Sequence, residues 1–422
     1  MTTVHPQCGT LHGNLESGIY SYKGIPYAES LAGPALWSPP TPRKRWSGLR
    51  DARHYGPACM QFGAAAFKWP VPAVRAQYFR ALGSGRSLIE GDDSLLLNVW
   101  TPSIDKNAKL PVMVWLHGGS FTSGSANEAY DATPFASRGV VSVVIQYRLG
   151  PPGFLHGSGL FDGELCADNR AFEDQLCALR WVQENIASFG GDPSCVTLFG
   201  QSAGAFAIFQ LMASPKAKGL FHRAIGMGGM AETSAPAEEY HQLTRDVLQE
   251  VGVVPGDSKA LISLSREALK KLQASVFRRI FSSKNPDQYG SLSRMRAGMM
   301  GAATATTFLP SPALETFEKG IDAPIDLMLG TCANDGNIFS LSLPLGRRIS
   351  SKLFSKNLSG FVPNRDMEAA RQYYAQQLPG VTRTTIIERV NNDTFYRWPT
   401  IKAAEAHAAG HPGHTWHFQL DY

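Results

Sequence analysis

At 422 residues, the chain is long enough to bury about three quarters of the surface that it exposes when unfolded. Its 43% hydrophobic and 18% charged residues are ordinary for a folded domain and exclude disordered and collagen-like chains. The formal net charge of +5 is spread along the chain, with no basic run longer than residues 43–45, which argues against a nucleic-acid-binding protein.

The first residues have neither the basic start nor the apolar stretch of a signal peptide, and no later segment is apolar over about 18 residues. We therefore expect neither export nor a membrane span. The six cysteines are scattered without C-x-x-C spacing, which fits neither a zinc site nor a disulfide scaffold. The sequence thus predicts mostly reduced thiols in a cytoplasmic protein.

The N-terminal part of the chain predicts strands. Short strand-like runs separated by glycine turns, up to residue 28, indicate an antiparallel edge. Three continuous apolar runs follow, at residues 95–100, 110–116 and 140–145. Runs without polar alternation are typical of strands that are covered on both faces, as in a mostly parallel sheet flanked by helices.

The repeating unit of an α/β fold comes next. The spacing of apolar residues predicts a helix over 169–189, a strand over 194–199 and a helix over 203–212. Gly190 and Gly191 end the first of these helices. Helix, strand, sharp turn and helix in this order indicate the α/β class.

The rest of the chain adds helices and two more strands. Charged and helix-forming residues dominate about 234–300, which we interpret as a helical cap or side region. Strands are predicted at 325–330 and 414–420. Because the chain has no internal repeat and no Pro/Ser-rich linker, we interpret residues 1–422 as a single domain.

A G-x-S-x-G motif at residues 200–204 points to nucleophilic catalysis. It lies between a predicted strand and a predicted helix, where a tight turn lifts a serine hydroxyl out of the surface. The glycines are needed because side chains two residues before and after the serine would collide. Ser202 is therefore the candidate nucleophile, and a chance match in a glycine-rich chain is the alternative.

A serine nucleophile needs N–H donors where negative charge develops on the attacked carbonyl oxygen. The sequence His-Gly-Gly-Ser-Phe at 117–121 follows the predicted strand 110–116 directly, and its glycines permit a close approach to a substrate. We expect the backbone amides of Gly119, Ser120 and Ala203 to form an oxyanion hole. An ordinary glycine turn is the alternative.

In these motifs and their order, the chain resembles the type-B carboxylesterases, the cholinesterase-like branch of the α/β-hydrolases. The resemblance implies the α/β-hydrolase fold: a central, mostly parallel mixed sheet flanked by helices, with a helical cap. It also implies hydrolysis of a small-molecule ester with an apolar acyl or alcohol part, through a serine acyl-enzyme, with no cofactor and no metal ion. The matching blocks are residues 23–28, 93–102, 111–121, 147–150, 174–182, 185–204, 214–215 and 219–225.

The resemblance also implies where the acid of a Ser–His–acid triad should lie, in a Gly-Thr-x-x-x-acid-Gly segment after a strand. Residues 330–336 fit this pattern and place Asp335 at the acid position, where the family usually has Glu. Aspartate serves this role in other hydrolases because the task is to orient and stabilise an imidazolium. A carboxylate in a solvated turn is the alternative.

The catalytic histidine is missing from the position that the resemblance implies. The family carries it on a loop after a strand resembling 416–422, and no Gly-x-x-His follows there. Elsewhere, His117 precedes the oxyanion glycines and is expected to be structural, and His222 is expected to be inert. The histidine of the triad is therefore left unknown.

Four late histidines are the remaining substitutes for the base. His407 is expected on a helix that begins near residue 398, and His411 and His414 in a polar turn, so solvated surface is the simpler interpretation for all three. His417 lies in a predicted strand between aromatic residues and is interpreted as a packed or edge histidine.

Smaller departures from the family pattern replace side chains that often surround the triad in the family. Gln201 stands where the family often has Glu, and Gly228 replaces a serine that often supports the triad. Ser94 occupies the position of a family cysteine, so Cys59 lacks its implied disulfide partner. A missing disulfide is consistent with a reducing compartment.

The missing histidine leaves three explanations open: a truncated gene product, a substitute base, or a relative that does not hydrolyse esters. The second function to consider is therefore a non-catalytic or strongly impaired, esterase-like binding or interaction protein. Aromatic residues between 62 and 86 indicate either the wall of an apolar gorge or ordinary packing. These residues are Phe67, Trp69, Tyr78 and Phe79.

Overall fold

Fourteen strands lie in the part of the chain that the structure, a computed structural model, describes: residues 2–62, 88–281, 288–294, 300–336 and 364–421. They are β1 (Thr3–Val4), β2 (Thr10–His12), β3 (Asn14–Glu16), β4 (Ile19–Pro26), β5 (Leu49–Asp51), β6 (Leu96–Thr101), β7 (Leu110–Leu116), β8 (Val141–Ile145), β9 (Gly191–Gln201), β10 (Arg223–Met227), β11 (Ser234–Pro236), β12 (Ala302–Thr304), β13 (Asp326–Cys332) and β14 (Thr415–Leu420).

Nine of these strands form a mixed sheet in the order β14-β13-β10-β9-β7-β8-β6-β4-β3. The strands from β14 to β8 in this order are all paired in parallel. In contrast, β6 is antiparallel to β8 and β4, and β4 is antiparallel to β3. The predicted mostly parallel sheet with an antiparallel N-terminal edge is confirmed. Since the parallel strands point the same way, the segments that follow β7, β9, β10 and β13 meet at one edge of the sheet.

Helices cover this sheet. The α-helices are α1 (Thr133–Ala136), α2 (Gly150–Phe154), α3 (Arg170–Asn185), α4 (Ala203–Ala213), α5 (Ala237–Gln249), α6 (Ser258–Ile262), α7 (Arg266–Phe281), α8 (Ala313–Glu318), α9 (Asn364–Gln377), α10 (Arg383–Asn392) and α11 (Trp398–Gly410). Short 3-10 segments lie at Gly33–Trp37, Glu128–Tyr130, Ile186–Phe189, Pro215–Ala217 and Gly290–Arg294, and a π-helical turn lies at Asp393–Arg397.

Burial follows the apolar runs of the sequence. All five residues of β8 and all six of β6 are buried, as expected for strands with both faces covered. The helix predicted over 169–189 is α3 followed by a 3-10 turn, and it ends at Gly190, which has a φ of 77°. All eleven residues of α4 are buried, because this helix is apolar on every side and lies directly behind the nucleophile turn.

The region expected to be a helical cap, about 234–300, contains α5, α6 and α7. Close to it, β11 and β12 form a separate two-stranded parallel sheet. One continuous apolar core contains residues from Val4 to Ala404 and includes side chains of α5 and α7. None of the helices among the described residues is long and apolar enough to cross a membrane.

Candidate active site

Ser202 lies between the end of β9 and the start of α4, at the edge where the parallel strands end. Its backbone has a φ of 54° and a ψ of −123°, a conformation that costs a non-glycine residue about 1–3 kcal/mol. Two backbone hydrogen bonds hold it: its N–H donates to the carbonyl of Met227 at 2.9 Å, and its carbonyl accepts from Phe206 N–H at 2.9 Å. The predicted strand–turn–helix frame around Ser202 is therefore present.

The two glycines of the motif are required for space. A Cβ at Gly200 would lie 2.7 Å from the carbonyl carbon of Gly204. A Cβ at Gly204 would lie 2.0 Å from the carbonyl oxygen of Leu116, the last residue of β7. Both contacts are with backbone, so α4 could not stay against the sheet if either glycine carried a side chain.

The loop after β7 faces the same turn. A Cβ at Gly118 would lie 3.3 Å from the Cβ of Ser202, so this loop passes directly over the serine. The next residues turn sharply, because Gly119 and Ser120 both have positive φ angles, 118° and 56°. The carbonyl of Gly119 is held inside the loop, where it accepts from Thr122 N–H and Ser123 N–H at 3.0 Å.

The amides expected to form the oxyanion hole are unengaged within the described part of the chain. Gly119 N–H, Ser120 N–H and Ala203 N–H donate no hydrogen bond to a described residue. Ala203 is the first residue of α4, where backbone N–H groups have no acceptor within the helix. The structure thus brings Ser202 close to this loop. The use of the three amides as an oxyanion hole remains a prediction.

His117 supports this loop from below. Its ring is fully buried and stacks on Tyr147 with 4.3 Å between ring centroids, and Tyr147 Oη–H donates to the His117 carbonyl at 2.6 Å. Its Nδ1 lies 2.9 Å from the carbonyl oxygen of Gly118. Burial lowers the pKa of His117 to about 4, so the ring is neutral at pH 7. These contacts agree with the structural role expected for His117.

Asp335 lies three residues beyond β13, at the same edge of the sheet as Ser202. Its Oδ2 accepts a hydrogen bond from Cys332 N–H at 2.7 Å, and burial raises the pKa of its carboxyl group. Gly228 follows Met227, the last residue of β10, and this strand lies between those that carry Ser202 and Asp335 to the edge. A Cβ at Gly228 would lie 3.6 Å from both Asp335 carboxylate oxygens. The structure therefore brings Asp335 to the position after a strand that the sequence predicts.

Gly228 leaves open the space next to this carboxylate. Its φ is 60°, and its N–H donates to the Gly330 carbonyl at 2.8 Å, so the backbone is fixed. Without a side chain at this position, the described donors to the Asp335 carboxylate come from one residue, the amide and the thiol of Cys332. The absence of a supporting side chain at this position, which the sequence indicates, is visible here. Gln201 is exposed at the turn, with its Oε1 near Gly118.

Three of the late histidines lie at the opposite edge of the sheet. His407 Nδ1 is 2.6 Å from Asp322 Oδ2, His411 Nε2 is 3.1 Å from Asp322 Oδ1, and His414 Nδ1 is 2.8 Å from Asp326 Oδ1. Asp326 begins β13, and its seven residues separate this edge from the Asp335 edge by about 20 Å. None of the three is placed to act as the base.

The expectation that His407 is solvated was wrong. Its side chain is fully buried, because α11 packs its alanine-rich side against the sheet and the ring finds a carboxylate and a carbonyl there. His411 is half-buried and His414 is exposed. Asp322, the partner of two of these rings, was not singled out from the sequence.

His417 and His222 form no described hydrogen bond with Ser202 or Asp335 either. His417 is exposed in the edge strand β14, paired with Leu329 in the middle of β13. His222 Nδ1 accepts from Val196 N–H at 3.2 Å, on β9. All eleven histidines of the chain are among the described residues, and none of their rings forms a hydrogen bond with Ser202 or with the Asp335 carboxylate. The base stays unassigned.

All six cysteines lie among the described residues, and none of them forms a disulfide. Cys59 is buried, and its Sγ–H donates to the carbonyl oxygen of Ser94 at 3.6 Å instead of forming a disulfide. The aromatic residues 67, 69, 78 and 79, considered as a gorge wall, lie outside the described residues.

Comparison with protein families matches residues 1–422 to the Carboxylesterase family. The chain belongs to the carboxylesterase family. A crystal structure of a carboxylesterase from Geobacillus stearothermophilus superposes on it with a TM-score of 0.80 and 31% identity, covering 100% of this chain and 80% of that one. The fold is accordingly the α/β-hydrolase fold.

Curated relatives of this family give the same result over shorter stretches. The chain is 35% identical to the para-nitrobenzyl esterase of Bacillus subtilis over 338 residues, which cover 80% of this chain and 63% of that enzyme. It is 42% identical to the phenmedipham hydrolase of Pseudarthrobacter oxydans over 224 residues, 53% of this chain and 42% of that enzyme. The chain therefore spans less than two thirds of the length of these two relatives.

Proposed function

We propose that the chain is a carboxylic ester hydrolase that acts through a serine acyl-enzyme on Ser202. The observation that carries this proposal is the strained turn at Ser202, which places the serine against a glycine loop whose amides are unengaged within the described residues. A strained backbone held in place at the end of a strand is typical of a functional position. The names of the relatives, an esterase and a hydrolase, support hydrolysis over the alternative of a non-catalytic binding protein.

In the proposed reaction, Ser202 Oγ attacks the ester carbonyl carbon and its proton passes to a general base, the member of the triad that stays unassigned. The developing oxyanion accepts hydrogen bonds from the amides of Gly119, Ser120 and Ala203, a contribution of about 3–4 kcal/mol for each essential donor. The alcohol leaves with a proton, and water then releases the acid from the acyl-serine. Asp335 would orient and stabilise the base in its protonated form.

The finer features of the proposal rest on less direct support. We propose a small-molecule ester with an apolar acyl or alcohol part as substrate, as the family resemblance implies. A cytoplasmic location is supported by six free cysteines, four of which are buried. A single domain over residues 1–422, with about 234–300 as its helical side region, is supported by the continuous apolar core that joins both parts.

The test is hydrolysis of a short-chain nitrophenyl ester, with fluorophosphonate labelling, by the wild-type chain and by Ser202→Ala. We expect hydrolysis well above buffer and labelling in the wild type, and the loss of both in Ser202→Ala, because no other group then forms the acyl-enzyme. Loss of a triad serine typically lowers turnover by about 10⁴–10⁶-fold. We therefore expect the assay to detect no hydrolysis by Ser202→Ala.

The matched control is Ser194→Ala, which removes a hydroxyl on the same strand whose described hydrogen bond is to Asp192. This variant should keep both hydrolysis and labelling. Turnover that persists undiminished in Ser202→Ala, or a wild-type chain that neither hydrolyses the ester nor reacts with the fluorophosphonate, would contradict the proposal.

A further inference from the structure

Three metal-ligating side chains meet at the edge of the sheet opposite Ser202. Asp322 lies in the turn between α8 and β13, His407 in the last turn of α11, and His411 directly after that helix. Their ligating atoms all lie within 4.8 Å of one another. The two histidines are four residues apart, and their ring centroids lie 4.7 Å from each other, close enough for two imidazoles to face one ion.

The partners of His407 leave one gap that a proton or a metal ion must fill. Its Nε2 lies 3.0 Å from the carbonyl oxygen of Ile325, which can only accept, so the ring must carry its proton on Nε2. The Nδ1 of a neutral ring then presents a lone pair to Asp322 Oδ2 at 2.6 Å, two acceptors facing each other. Either a second proton or a metal ion must lie between them.

Charge and burial point to the same conclusion. The side chains of Asp322 and His407 are both fully buried, and the described partners of the Asp322 carboxylate are these two imidazoles. A buried carboxylate needs a compensating positive charge. The C-terminal end of α11 also carries a partial negative charge, which increases the need for a positive charge next to Asp322.

The backbone around the three residues is tightly constrained. Gly410, at the end of α11, packs so closely on Gly320 that a Cβ on it would lie 2.7 Å from the Gly320 Cα. Gly320 itself has a φ of 62°, which a side chain would strain. The turn that carries Asp322 and the end of the helix that carries His407 are thus held in fixed relative positions.

We propose that Asp322, His407 and His411 bind a divalent transition-metal ion of the zinc class, which joins the end of α11 to the turn before β13. Two imidazoles and one carboxylate are the borderline ligand set that Zn²⁺ prefers, with water completing four-coordination. His407 ligates through Nδ1, while its Nε2–H donates to the Ile325 carbonyl, as the second nitrogen of a metal-bound histidine usually does.

The geometry needs only side-chain adjustment. Around an ion with bonds of about 2.1 Å, tetrahedral ligand atoms are about 3.4 Å apart, so His407 Nδ1 and Asp322 Oδ2 must separate slightly. His411 has the freedom to complete the site, because its side chain is 12% exposed, and this exposure also gives an ion access from solvent.

The experiment measures binding of Zn²⁺ to the metal-stripped full chain by calorimetry, with Co²⁺ as a spectroscopic substitute. We expect one tight equivalent of Zn²⁺, a higher midpoint of thermal unfolding with the metal, and a Co²⁺ spectrum without a thiolate charge-transfer band, since no cysteine takes part. Mg²⁺ at the same concentration should leave the unfolding midpoint unchanged, because these ligands do not suit it.

The decisive variant is His411→Gln, which alters a partly exposed residue and so should fold. We expect it to weaken Zn²⁺ binding by more than about 100-fold. Losing a group that only orients a metal ligand already lowers metal affinity by up to about 100-fold, and His411 is proposed as a ligand itself. The control His414→Gln removes a nearby exposed histidine that contacts Asp326, and it should bind Zn²⁺ as the wild type does.

Two results would overturn the proposal. One is a wild-type chain whose unfolding midpoint does not respond to Zn²⁺, which would mean that a proton fills the gap between His407 and Asp322. The other is equal Zn²⁺ affinity in the wild type and in His411→Gln. Fluorophosphonate labelling of Ser202 should be the same with and without metal, so this test is independent of the proposed esterase function.

Discussion

At the scale of single residues, the geometry around Ser202 depends on which neighbours have no side chain. Gly204 has an ordinary backbone conformation, so it is required for the space between α4 and the end of β7, not for its flexibility. Gly159 is the opposite case: its φ is 78°, and a Cβ there would meet nothing within 4 Å. Substitution of each glycine therefore measures a different cost in stability: a steric clash at Gly204 and a left-handed backbone conformation at Gly159.

We expect Gly204→Ala to destabilise the fold by more than about 3 kcal/mol, since overpacking against backbone cannot be relieved by a rotamer change. Gly159→Ala should cost only about 1–2 kcal/mol, the price of a left-handed conformation. Urea unfolding followed by tryptophan fluorescence measures both. Equal losses in the two variants would mean that α4 can move away from β7, and the close approach would then not be required.

At the scale of elements, His156 joins the segment between α2 and α3 to α5 and to the residue before β12. It follows α2, its Nδ1 accepts from Asn169 N–H at 2.9 Å before α3, and its Nε2–H donates to the Gly301 carbonyl at 2.8 Å before β12. The hydroxyl of Thr244 on α5 donates to its carbonyl. Because both ring nitrogens are used in the neutral form, a second proton would break the bond to Asn169.

Burial lowers the pKa of His156 to about 4, and this shift predicts a pH dependence of stability. The unfolded chain, with a histidine pKa near 6.5, binds more protons than the folded chain between pH 6.5 and 4, so stability is lost as the pH falls. We expect a loss of about 2 kcal/mol from this residue between pH 7 and pH 5, measured by urea unfolding at both values.

The variant His156→Gln keeps an acceptor and a donor but does not titrate, so its stability should fall less steeply over the same range. The slope should not vanish, because His117 is buried with a similarly lowered pKa. As a control, His54→Gln changes an exposed residue and should keep the wild-type slope. An unchanged slope in His156→Gln would show that His156 is already protonated in the fold.

Elements that depend on local apolar runs could be predicted from the sequence, and contacts between distant residues could not. The strand predicted at 194–199 extends over Gly191–Gln201, because its first residue pairs with Leu110 of β7, and no local pattern contains that pairing. His407 was misplaced for the same reason. Its partner Asp322 is 85 residues away, and a histidine near a Gly-Pro turn has the local pattern of a surface residue.

In the candidate site, too, local motifs could be predicted from the sequence and contacts between distant residues could not. Ser202 and the glycine loop could be predicted because each motif is contiguous and its chemistry requires particular residues. The position of Asp335 followed from a family resemblance, since a carboxylate after a strand has no distinctive pattern of its own. The parallel order of β9, β10 and β13 is what brings Ser202, Gly228 and Asp335 to one edge.

At the scale of the whole molecule, one buried ion pair holds the N-terminal segment onto the sheet and its helices. The guanidinium of Arg148 bonds twice to Asp174 of α3, at 2.8 and 2.6 Å, and both side chains are fully buried. Its third nitrogen donates to the carbonyls of Ala35, Leu36 and Ser38, in and after the 3-10 turn at Gly33–Trp37. This one side chain thus links the turn at residues 33–38 to a carboxylate of α3.

We expect Asp174→Asn to destabilise the protein by about 3–5 kcal/mol, because it leaves the Arg148 charge buried and unpaired while the shape of the site is kept. The control Asp51→Asn breaks a solvent-exposed pair with Arg53, and it should leave the unfolding midpoint where the wild type has it. Urea unfolding of the three proteins makes the comparison. If the two variants shifted the midpoint equally, water would have to reach Arg148, and the N-terminal segment would then be held by its strand pairing and apolar packing without this ion pair.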